Sequence, residues 1–290
     1  PVSLPTEDKV SFVNALSLSG VAEIEVGSFV SPTAIPQLAD SEEVFKRIDR
    51  RPGVIYSALV PNERGLARAR AAAVDKVAVF TAASDSFTQQ NINCTVHESI
   101  ERFKPVVSQA KDAGMAVRGY ISTATHCPFE GAVSPSRVVQ VMRALLDLGV
   151  DEISLGDTIG KAAPCDVRRL LDALIPHLGG AVLSLHFHDT YGMAVANVLA
   201  AWMEYGIASF DKGLEAISKS WPGDKLAANW LMVMGCTAFW EIFPNANMKR
   251  FVEQAGKRPV VYYIQRVRSN STNPWAQASG HMLVVHELVN

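Results

Sequence analysis

Two histidines separated by one residue, His186 and His188, are the first feature of this sequence that could do chemistry. They end the run AVLSLHFH, whose apolar and β-branched residues are typical of a β-strand. Because residues i and i+2 of a strand point to the same face, both imidazoles can project into one volume. Followed by Asp189, they form a candidate half-site for a divalent metal ion. The alternative is a chance spacing in which one histidine is packed in the core.

A carboxylate ends a second candidate strand, in the stretch ISLGDTIG. Asp157 is placed there to orient a ligand histidine or to move a proton. The alternative is a local turn in which its side chain binds nearby backbone groups. Capping of the next helix is excluded, because that helix is predicted to begin near Pro164, seven residues later. The neighbouring Thr158 is predicted to bind substrate.

Three more polar residues lie inside candidate strands. Glu25 stands in the middle of EIEVGS and shares a face with Glu23. A carboxylate inside a closed sheet costs free energy unless it is paired, so a cationic partner from a neighbouring strand is predicted. The alternative for Glu25 is an edge position that faces solvent. Arg118 and Tyr120 share one face of VRGYIS, and either contact an anionic substrate or fill a layer of the interior.

The elements that must position these residues alternate regularly between β-rich runs and longer helical patterns. The strand candidates cover residues 22–28, 54–60, 76–82, 116–122, 152–156, 181–188 and 208–211. The helical patterns lie near residues 6–19, 41–50, 63–73, 95–113, 135–148, 164–178 and 192–205. A succession of strand, helix and strand indicates a parallel sheet. Seven such units without a dinucleotide-binding glycine pattern favour an α/β fold of the (β/α)8 barrel type over a doubly wound sheet.

The two ends of the chain depart from this regular pattern. A (β/α)8 barrel needs eight strands and the chain opens in a helical pattern, so strand one is expected to precede Pro1. After Asp211 the alternation stops, and all five tryptophans fall in the last third of the chain. We therefore predict a barrel catalytic domain over residues 1–235. Residues 236–290 are predicted to form a divergent segment of C-terminal helices and tail packed on the barrel.

Composition excludes several classes of protein. With 48% hydrophobic and 19% charged residues the chain is globular, and its net charge of −2 gives no reason to expect a nucleic-acid partner. No apolar run reaches the roughly 18 residues that a membrane span needs. The four cysteines form no CxxC pair and are read as reduced thiols of an intracellular protein. The expected compartment is the cytoplasm in a bacterium or the mitochondrial matrix in a eukaryote, and a homodimer is expected.

Seven motifs in the same order resemble those of the 3-hydroxy-3-methylglutaryl-CoA (HMG-CoA) lyase family. They are IEVGSFVSP (24–32), PQLAD (36–40), NINCTVHESIERF (91–103), VRGYIS (117–122), CPFEG (127–131), EISLGDTIG (152–160) and LHFHDTYGMAVAN (185–197). NINC, CPFEG and GSFVSP point to the lyases rather than to the related isopropylmalate synthases or ketoacid aldolases. The resemblance implies a TIM barrel that cleaves (S)-HMG-CoA, an acyl-CoA, to acetyl-CoA and acetoacetate with Mg²⁺ or Mn²⁺.

The resemblance also assigns roles to residues of this chain. It implies that His186 and His188 are metal ligands, with His186 also close to the proton transfers. It implies that Asp157 and Glu25 are polar groups around the metal ion and the reacting atoms. Arg118, Tyr120 and Thr158 are then the predicted substrate-binding residues.

Two motifs of the family differ in this sequence. The strand-one motif Arg-Asp-Gly-Leu-Gln, which supplies a ligand Asp and an oxyanion-stabilising Arg, does not occur in the 290 residues. In an ungapped register, Ser220 stands where the family has its catalytic Cys, and Asn229 where it has a ligand Asn. Two alternatives to the lyase therefore stay open. One is a related metal-dependent lyase or aldolase with another acyl-CoA or ketoacid substrate, and the other is a non-catalytic barrel homologue.

Overall fold

A curled, fully parallel sheet of six strands forms the centre of the molecule. The structure is a computed structural model that describes residues 4–18, 22–205, 262–265 and 282–285. Its strands are β1 (Glu23–Ser28), β2 (Ile55–Leu59), β3 (Lys76–Ala82), β4 (Ala116–Ser122), β5 (His126–Cys127), β6 (Gly131–Ala132), β7 (Glu152–Asp157), β8 (Val182–Phe187), β9 (Tyr262–Gln265) and β10 (Met282–Val285). The parallel sheet has the order β1-β2-β3-β4-β7-β8, while β5 with β6 and β9 with β10 form separate antiparallel pairs.

Helices connect the parallel strands and cover the outer face of the sheet. They are α1 (Thr6–Ser17), α2 (Ser41–Arg47), α3 (Glu63–Ala71), α4 (Asp85–Ile92), α5 (Val96–Asp112), α6 (Pro135–Asp147), α7 (Pro164–Leu174) and α8 (Ala194–Tyr205). Short 3-10 turns are formed by Pro36–Leu38 and Ile175–His177. The helix α5 shows why these elements form: its buried Ile100, Phe103 and Val107 recur at helical spacing and face β3 and β4. A membrane-crossing segment is not found among the described helices, which fall short in length or in apolar character.

The predicted barrel architecture is confirmed in the described part of the chain. Six of the seven strand candidates form the parallel sheet, with bounds within two residues of the predicted ones. The seventh candidate, residues 208–211, lies outside the described residues. Of the predicted C-terminal segment only β9 and β10 are described, so the boundary at residue 235 and the packing of residues 236–290 stay predictions.

A bulge interrupts the pairing of β1 with β2. The register with β2 shifts between Glu25 and Gly27, so that Val26 is the extra residue. Gly27 then lies against α2, where a Cβ would come within 2.6 Å of the Ser41 hydroxyl oxygen. Bulges of this kind re-aim side chains, and here the bulge directly follows Glu25.

The start of α5 gives a test of the helix signals in the sequence. The Thr95 hydroxyl accepts a hydrogen bond from the Glu98 amide at 3.2 Å, and the Glu98 carboxylate accepts one from the Thr95 amide at 2.7 Å. We expect Thr95→Ala to lower the free energy of unfolding by about 1 kcal/mol, because it removes this reciprocal cap. Ser134, which precedes α6 without a side-chain cap bond, supplies the control. Urea unfolding should show a clearly smaller loss for Ser134→Ala, and equal losses would contradict the capping account.

Candidate active site

The two predicted histidines lie together at the carboxyl end of β8. Their ring centroids are 4.8 Å apart, and each residue is at most 8% exposed. Phe187, between them in sequence, packs on the other side of the sheet against Val167 and Leu171 of α7. The alternation of β8 therefore places both imidazoles on the interior face, as the spacing predicted. Active sites of (β/α)8 barrels lie at this end of the strands.

A backbone carbonyl sets the orientation of the His188 ring. The Nδ1 atom of His188 lies 2.7 Å from the carbonyl oxygen of Asp157 at the end of β7. Because a carbonyl oxygen only accepts hydrogen bonds, Nδ1 must carry the proton that it donates. In a neutral ring the lone pair then belongs to Nε2. Metal-binding histidines are commonly held in this way, with one nitrogen donating to a carbonyl and the other left to bind.

The Asp157 carboxylate does not join the histidines. Its oxygens accept hydrogen bonds from the amides of Lys161 at 3.1 Å and Ala162 at 3.2 Å, and from the Thr125 hydroxyl at 3.2 Å. Together with Leu155 it lines a small cavity on the outer side of the sheet, against α7. Burial raises the pKa of Asp157 to about 6, although these hydrogen bonds act in the opposite direction.

The geometry therefore favours the turn-forming alternative for the Asp157 side chain. The expectation that its carboxylate would converge with the histidines on one volume does not hold. Asp157 is five residues beyond Glu152, an odd step along β7, so the pleat turns it outward. The histidine is oriented by the backbone of Asp157 instead of by its carboxylate. The carboxylate of Asp189 likewise serves the local fold, by accepting a hydrogen bond from the Ala194 amide at 2.9 Å.

A closed set of ion pairs fills the interior at the amino end of the strands. Lys76 donates to Glu23 at 2.9 Å and also to Glu152. Arg118 donates to Glu23 at 2.9 Å and to Glu152 at 2.7 Å. Although burial acts to raise it, the charges of Arg118 and Lys76 lower the pKa of Glu152 to about 2. The two carboxylates and two cations thus balance each other in a buried layer, and Ser184 adds a hydroxyl donor to Glu152 at 2.7 Å.

Glu25 and Tyr120 form the next layer toward the carboxyl ends of the strands. The Tyr120 hydroxyl donates to the Glu25 carboxylate at 2.7 Å, and Arg118 lies 3.3 Å from that hydroxyl. One hydrogen bond to Glu25 thus comes from a phenol, while Arg118, which lies on β4 and not on the neighbouring strand β2, acts on Glu25 through its charge. Burial raises the pKa of Glu25 against the opposing effect of Arg118. The contacts of Arg118 and Tyr120 support the layer-filling alternative, and their binding of substrate stays a prediction.

Thr158 contributes a structural hydrogen bond beside the site. Its hydroxyl oxygen accepts from the Thr123 amide at 2.7 Å, and Thr123 itself adopts a left-handed conformation with φ of 54°. This bond joins the end of β4 to the segment that follows β7. The predicted contact of Thr158 with substrate stays a prediction. Ser220 and Asn229 lie outside the described residues.

Lys76 and Glu152 were not among the predicted site residues. Each is the charged first residue of a buried strand, and a charge on the interior face of such a strand requires a partner of opposite sign. That signal was present in KVAVFTA and EISLGD. Among residues 4–18, 22–205, 262–265 and 282–285, no group of three or more His, Cys, Asp or Glu side chains is arranged to hold a metal ion.

Known proteins are similar to this chain in sequence and in architecture. It is 48% identical over 210 residues to the 3-hydroxy-3-isohexenylglutaryl-CoA/hydroxy-methylglutaryl-CoA lyase of Pseudomonas aeruginosa, covering 72% of this chain and 70% of that protein. It is 44% identical over 216 residues to the cytoplasmic 3-hydroxy-3-methylglutaryl-CoA lyase of Rattus norvegicus, covering 74% of this chain and 63% of that protein. The chain thus spans less than two thirds of the rat relative.

A solved structure and a family model agree with these relatives. The crystal structure of the HMG-CoA lyase from Brucella melitensis matches with a TM-score of 0.69 and 46% identity, over 70% of this chain and 72% of that one. A family model described as HMGL-like matches residues 1–215, the part that contains the six-stranded sheet and the histidine pair. The chain therefore belongs to the HMGL-like family, together with relatives named HMG-CoA lyase.

Proposed function

We propose that the site of this protein is that of a metal-dependent carbon–carbon lyase that cleaves (S)-HMG-CoA to acetyl-CoA and acetoacetate. The observation that carries this proposal is the His186 and His188 pair, which lies on the interior face at the carboxyl end of β8. The names of the relatives support the substrate and the reaction. The name of the Pseudomonas aeruginosa relative adds 3-hydroxy-3-isohexenylglutaryl-CoA as a second candidate substrate.

The donor set at this position fits a divalent ion as a half-site. Two imidazoles lie side by side, and the hydrogen bond from His188 Nδ1 directs the lone pair of a neutral ring to Nε2. Imidazole nitrogens together with oxygen ligands suit Mn²⁺, and Mg²⁺ is the alternative when most ligands are oxygens. Asn229 is the further ligand that we propose from the sequence. When bound, the ion would polarise the 3-hydroxyl and a carboxylate oxygen of the substrate.

The remaining chemistry requires groups that accept and return protons. His186 is proposed to act close to the substrate hydroxyl, because it faces the same volume as His188. Glu25 is a second candidate, since burial raises its pKa and so favours the protonated carboxyl relative to an exposed glutamate. Ser220 is proposed at the position of the family's catalytic cysteine. A hydroxyl is several pKa units less acidic than a thiol, which makes it a poor proton donor there.

Other properties of the protein are proposals of the same kind. Acyl-CoA is the proposed ligand class, with Arg118, Tyr120 and Thr158 as candidate contacts. A homodimer is proposed as the assembly. The cytoplasm or the mitochondrial matrix is the proposed compartment, and the rat relative is named as cytoplasmic.

The decisive experiment measures acetoacetate release from (S)-HMG-CoA with Mn²⁺ present. The chain of 290 residues is compared with a variant that carries an added Arg-Asp-Gly-Leu-Gln segment and Ser220→Cys. We expect turnover by the variant and very little by the parent chain, because the ligand Asp, the oxyanion-stabilising Arg and the acidic thiol all act on one transition state. His186→Ala in the active variant should abolish turnover.

Other results of the acetoacetate assay would contradict parts of this proposal. Robust turnover by the parent chain would contradict our account of what the chemistry needs. If the variant binds Mn²⁺ but releases no acetoacetate, the lyase proposal is wrong for this substrate. Cleavage of 3-hydroxy-3-isohexenylglutaryl-CoA alone would then favour the second candidate substrate, and no cleavage of either would favour a non-catalytic homologue.

A further inference from the structure

The segment between β7 and α7 comes into direct contact with the backbone of His188. Gly160, in this segment, has φ of +66°. A Cβ at Gly160 would lie 2.7 Å from the carbonyl oxygen of His188 and 2.8 Å from the amide nitrogen of Thr190. Real Cβ atoms essentially never approach backbone atoms so closely, so any side chain here would displace one of the two segments. Only glycine allows this contact.

Gly160 also shares a hydrogen-bond acceptor with the His188 ring. Its amide donates to the carbonyl oxygen of Asp157 at 3.0 Å, and His188 Nδ1 donates to the same oxygen at 2.7 Å. A carbonyl oxygen has two lone pairs and can accept both bonds. The turn closed by Gly160 therefore fixes the direction of the carbonyl that holds the ring.

The rest of the segment cannot easily move to relieve a clash at Gly160. The Asp157 carboxylate accepts hydrogen bonds from the amides of Lys161 and Ala162. From α8, the Asn197 side-chain amide donates to the carbonyl oxygen of Ala162 at 2.8 Å. Asp157, Ala162 and Asn197 are all buried, so breaking these bonds would leave polar groups away from water. A side chain at Gly160 would therefore displace mainly the backbone of His188.

We propose that Gly160 is a positioning residue for His188. By its lack of a side chain, it lets the segment after β7 pack onto the His188 backbone, and its amide aims the Asp157 carbonyl at His188 Nδ1. The ring is thereby held in the tautomer whose Nε2 can bind a metal ion. The role of Gly160 in catalysis rests on the proposed function, whereas its effect on the tautomer of the His188 ring does not.

The test compares Gly160→Ala with Gly179→Ala. Gly179 also has a positive φ, of +61°, but nothing lies within 4 Å of a Cβ there, so it reproduces the backbone strain without the contact. Long-range ¹H–¹⁵N spectra of the metal-free protein report which ring nitrogen of His188 carries the proton, with His188→Ala assigning the signals. We expect one tautomer, protonated at Nδ1, in the parent and in Gly179→Ala. Gly160→Ala should show loss of this single tautomer.

Mn²⁺ titration calorimetry is the second readout. Groups that orient a ligand histidine commonly contribute about 10–100-fold to metal affinity, so Gly160→Ala should weaken Mn²⁺ binding at least about tenfold relative to Gly179→Ala. If Gly160→Ala does not fold, Asn197→Ala takes its place. It removes the bond to Ala162 without adding a side chain at Gly160, and we expect it to give the same changes to a smaller extent. The proposal is overturned if the His188 ring keeps its single tautomer in folded Gly160→Ala. If Asn197→Ala has to replace that variant, the same result in Asn197→Ala overturns it. A changed tautomer in a protein whose parent binds no Mn²⁺ would instead support the positioning role and reject the proposed metal site.

Discussion

Replacing His188 by alanine is expected to weaken Mn²⁺ binding by more than about a hundredfold, because the loss of a partner of a ligand histidine alone commonly costs 10–100-fold. The substitution removes a proposed metal ligand itself and not only a group that orients one. It should disturb the fold much less, since the ring lies at the carboxyl end of the strands, where its hydrogen bond to the Asp157 carbonyl contributes about 1 kcal/mol. Calorimetric titration of Mn²⁺ measures the first effect, and thermal unfolding without metal measures the second.

The control for this experiment is another histidine of the same chain. His177 is exposed and lies in the 3-10 turn Ile175–His177, after α7 and before β8. His177→Ala should leave Mn²⁺ affinity unchanged, because that ring takes no part in the interior site. Equal Mn²⁺ affinity of the parent and His188→Ala would remove His188 from the ligand set. A large loss in both variants would indicate non-specific binding of the ion to imidazoles.

The strands and long helices were predictable because their burial is regular. Strands covered on both faces are near-continuous apolar runs, and β3, with Val77, Val79 and Ala82 fully buried, is such a run. The helix α4 was not predicted, because Phe87 and Thr88 are the residues that it buries and no helical period results. Its ends depend on single residues instead: the Ser84 hydroxyl accepts a hydrogen bond from the Phe87 amide at the start, and Asn93 adopts a left-handed conformation at the end.

The side-chain directions within one strand were predictable, whereas the contacts between side chains of different strands were not. The shared face of His186 and His188 follows from the period of a strand. The same period, counted from Glu152, would have turned Asp157 outward, so that error was avoidable. The partners of Lys76 were not predictable, because Glu23 and Glu152 are 53 and 76 residues away in sequence. Such pairing depends on the register between strands, which local patterns do not encode.

The substitution Lys76→Met is expected to lower the free energy of unfolding by about 3–5 kcal/mol, the usual cost of removing one partner from a buried ion pair. Lys76 contacts both Glu23 and Glu152, whose side chains are 9% and 8% exposed. Without it, both buried carboxylates lose one cationic partner and keep Arg118. Because Arg118 and Lys76, acting against burial, lower the pKa of Glu152 to about 2, this carboxylate is ionised at pH 7 in the parent protein. Urea unfolding at that pH measures the loss.

Three further variants, Lys104→Met, Glu152→Gln and the double variant of Lys76→Met with Glu152→Gln, decide whether charge, and not packing, causes the loss. Lys104, paired with Glu101 on the surface and 53% exposed, supplies the control: Lys104→Met should change stability very little, since solvent screens such pairs. Adding Glu152→Gln to Lys76→Met removes one negative charge to match the positive charge already lost, while Glu23 keeps Arg118 as a partner. The double variant should therefore be more stable than Lys76→Met alone. If the two residues acted independently, the second substitution would lower the stability further, so a gain shows that they are coupled. If the double variant is less stable than the parent by the sum of the losses measured for Lys76→Met alone and Glu152→Gln alone, the ion pairs do not act as one charge-balanced layer.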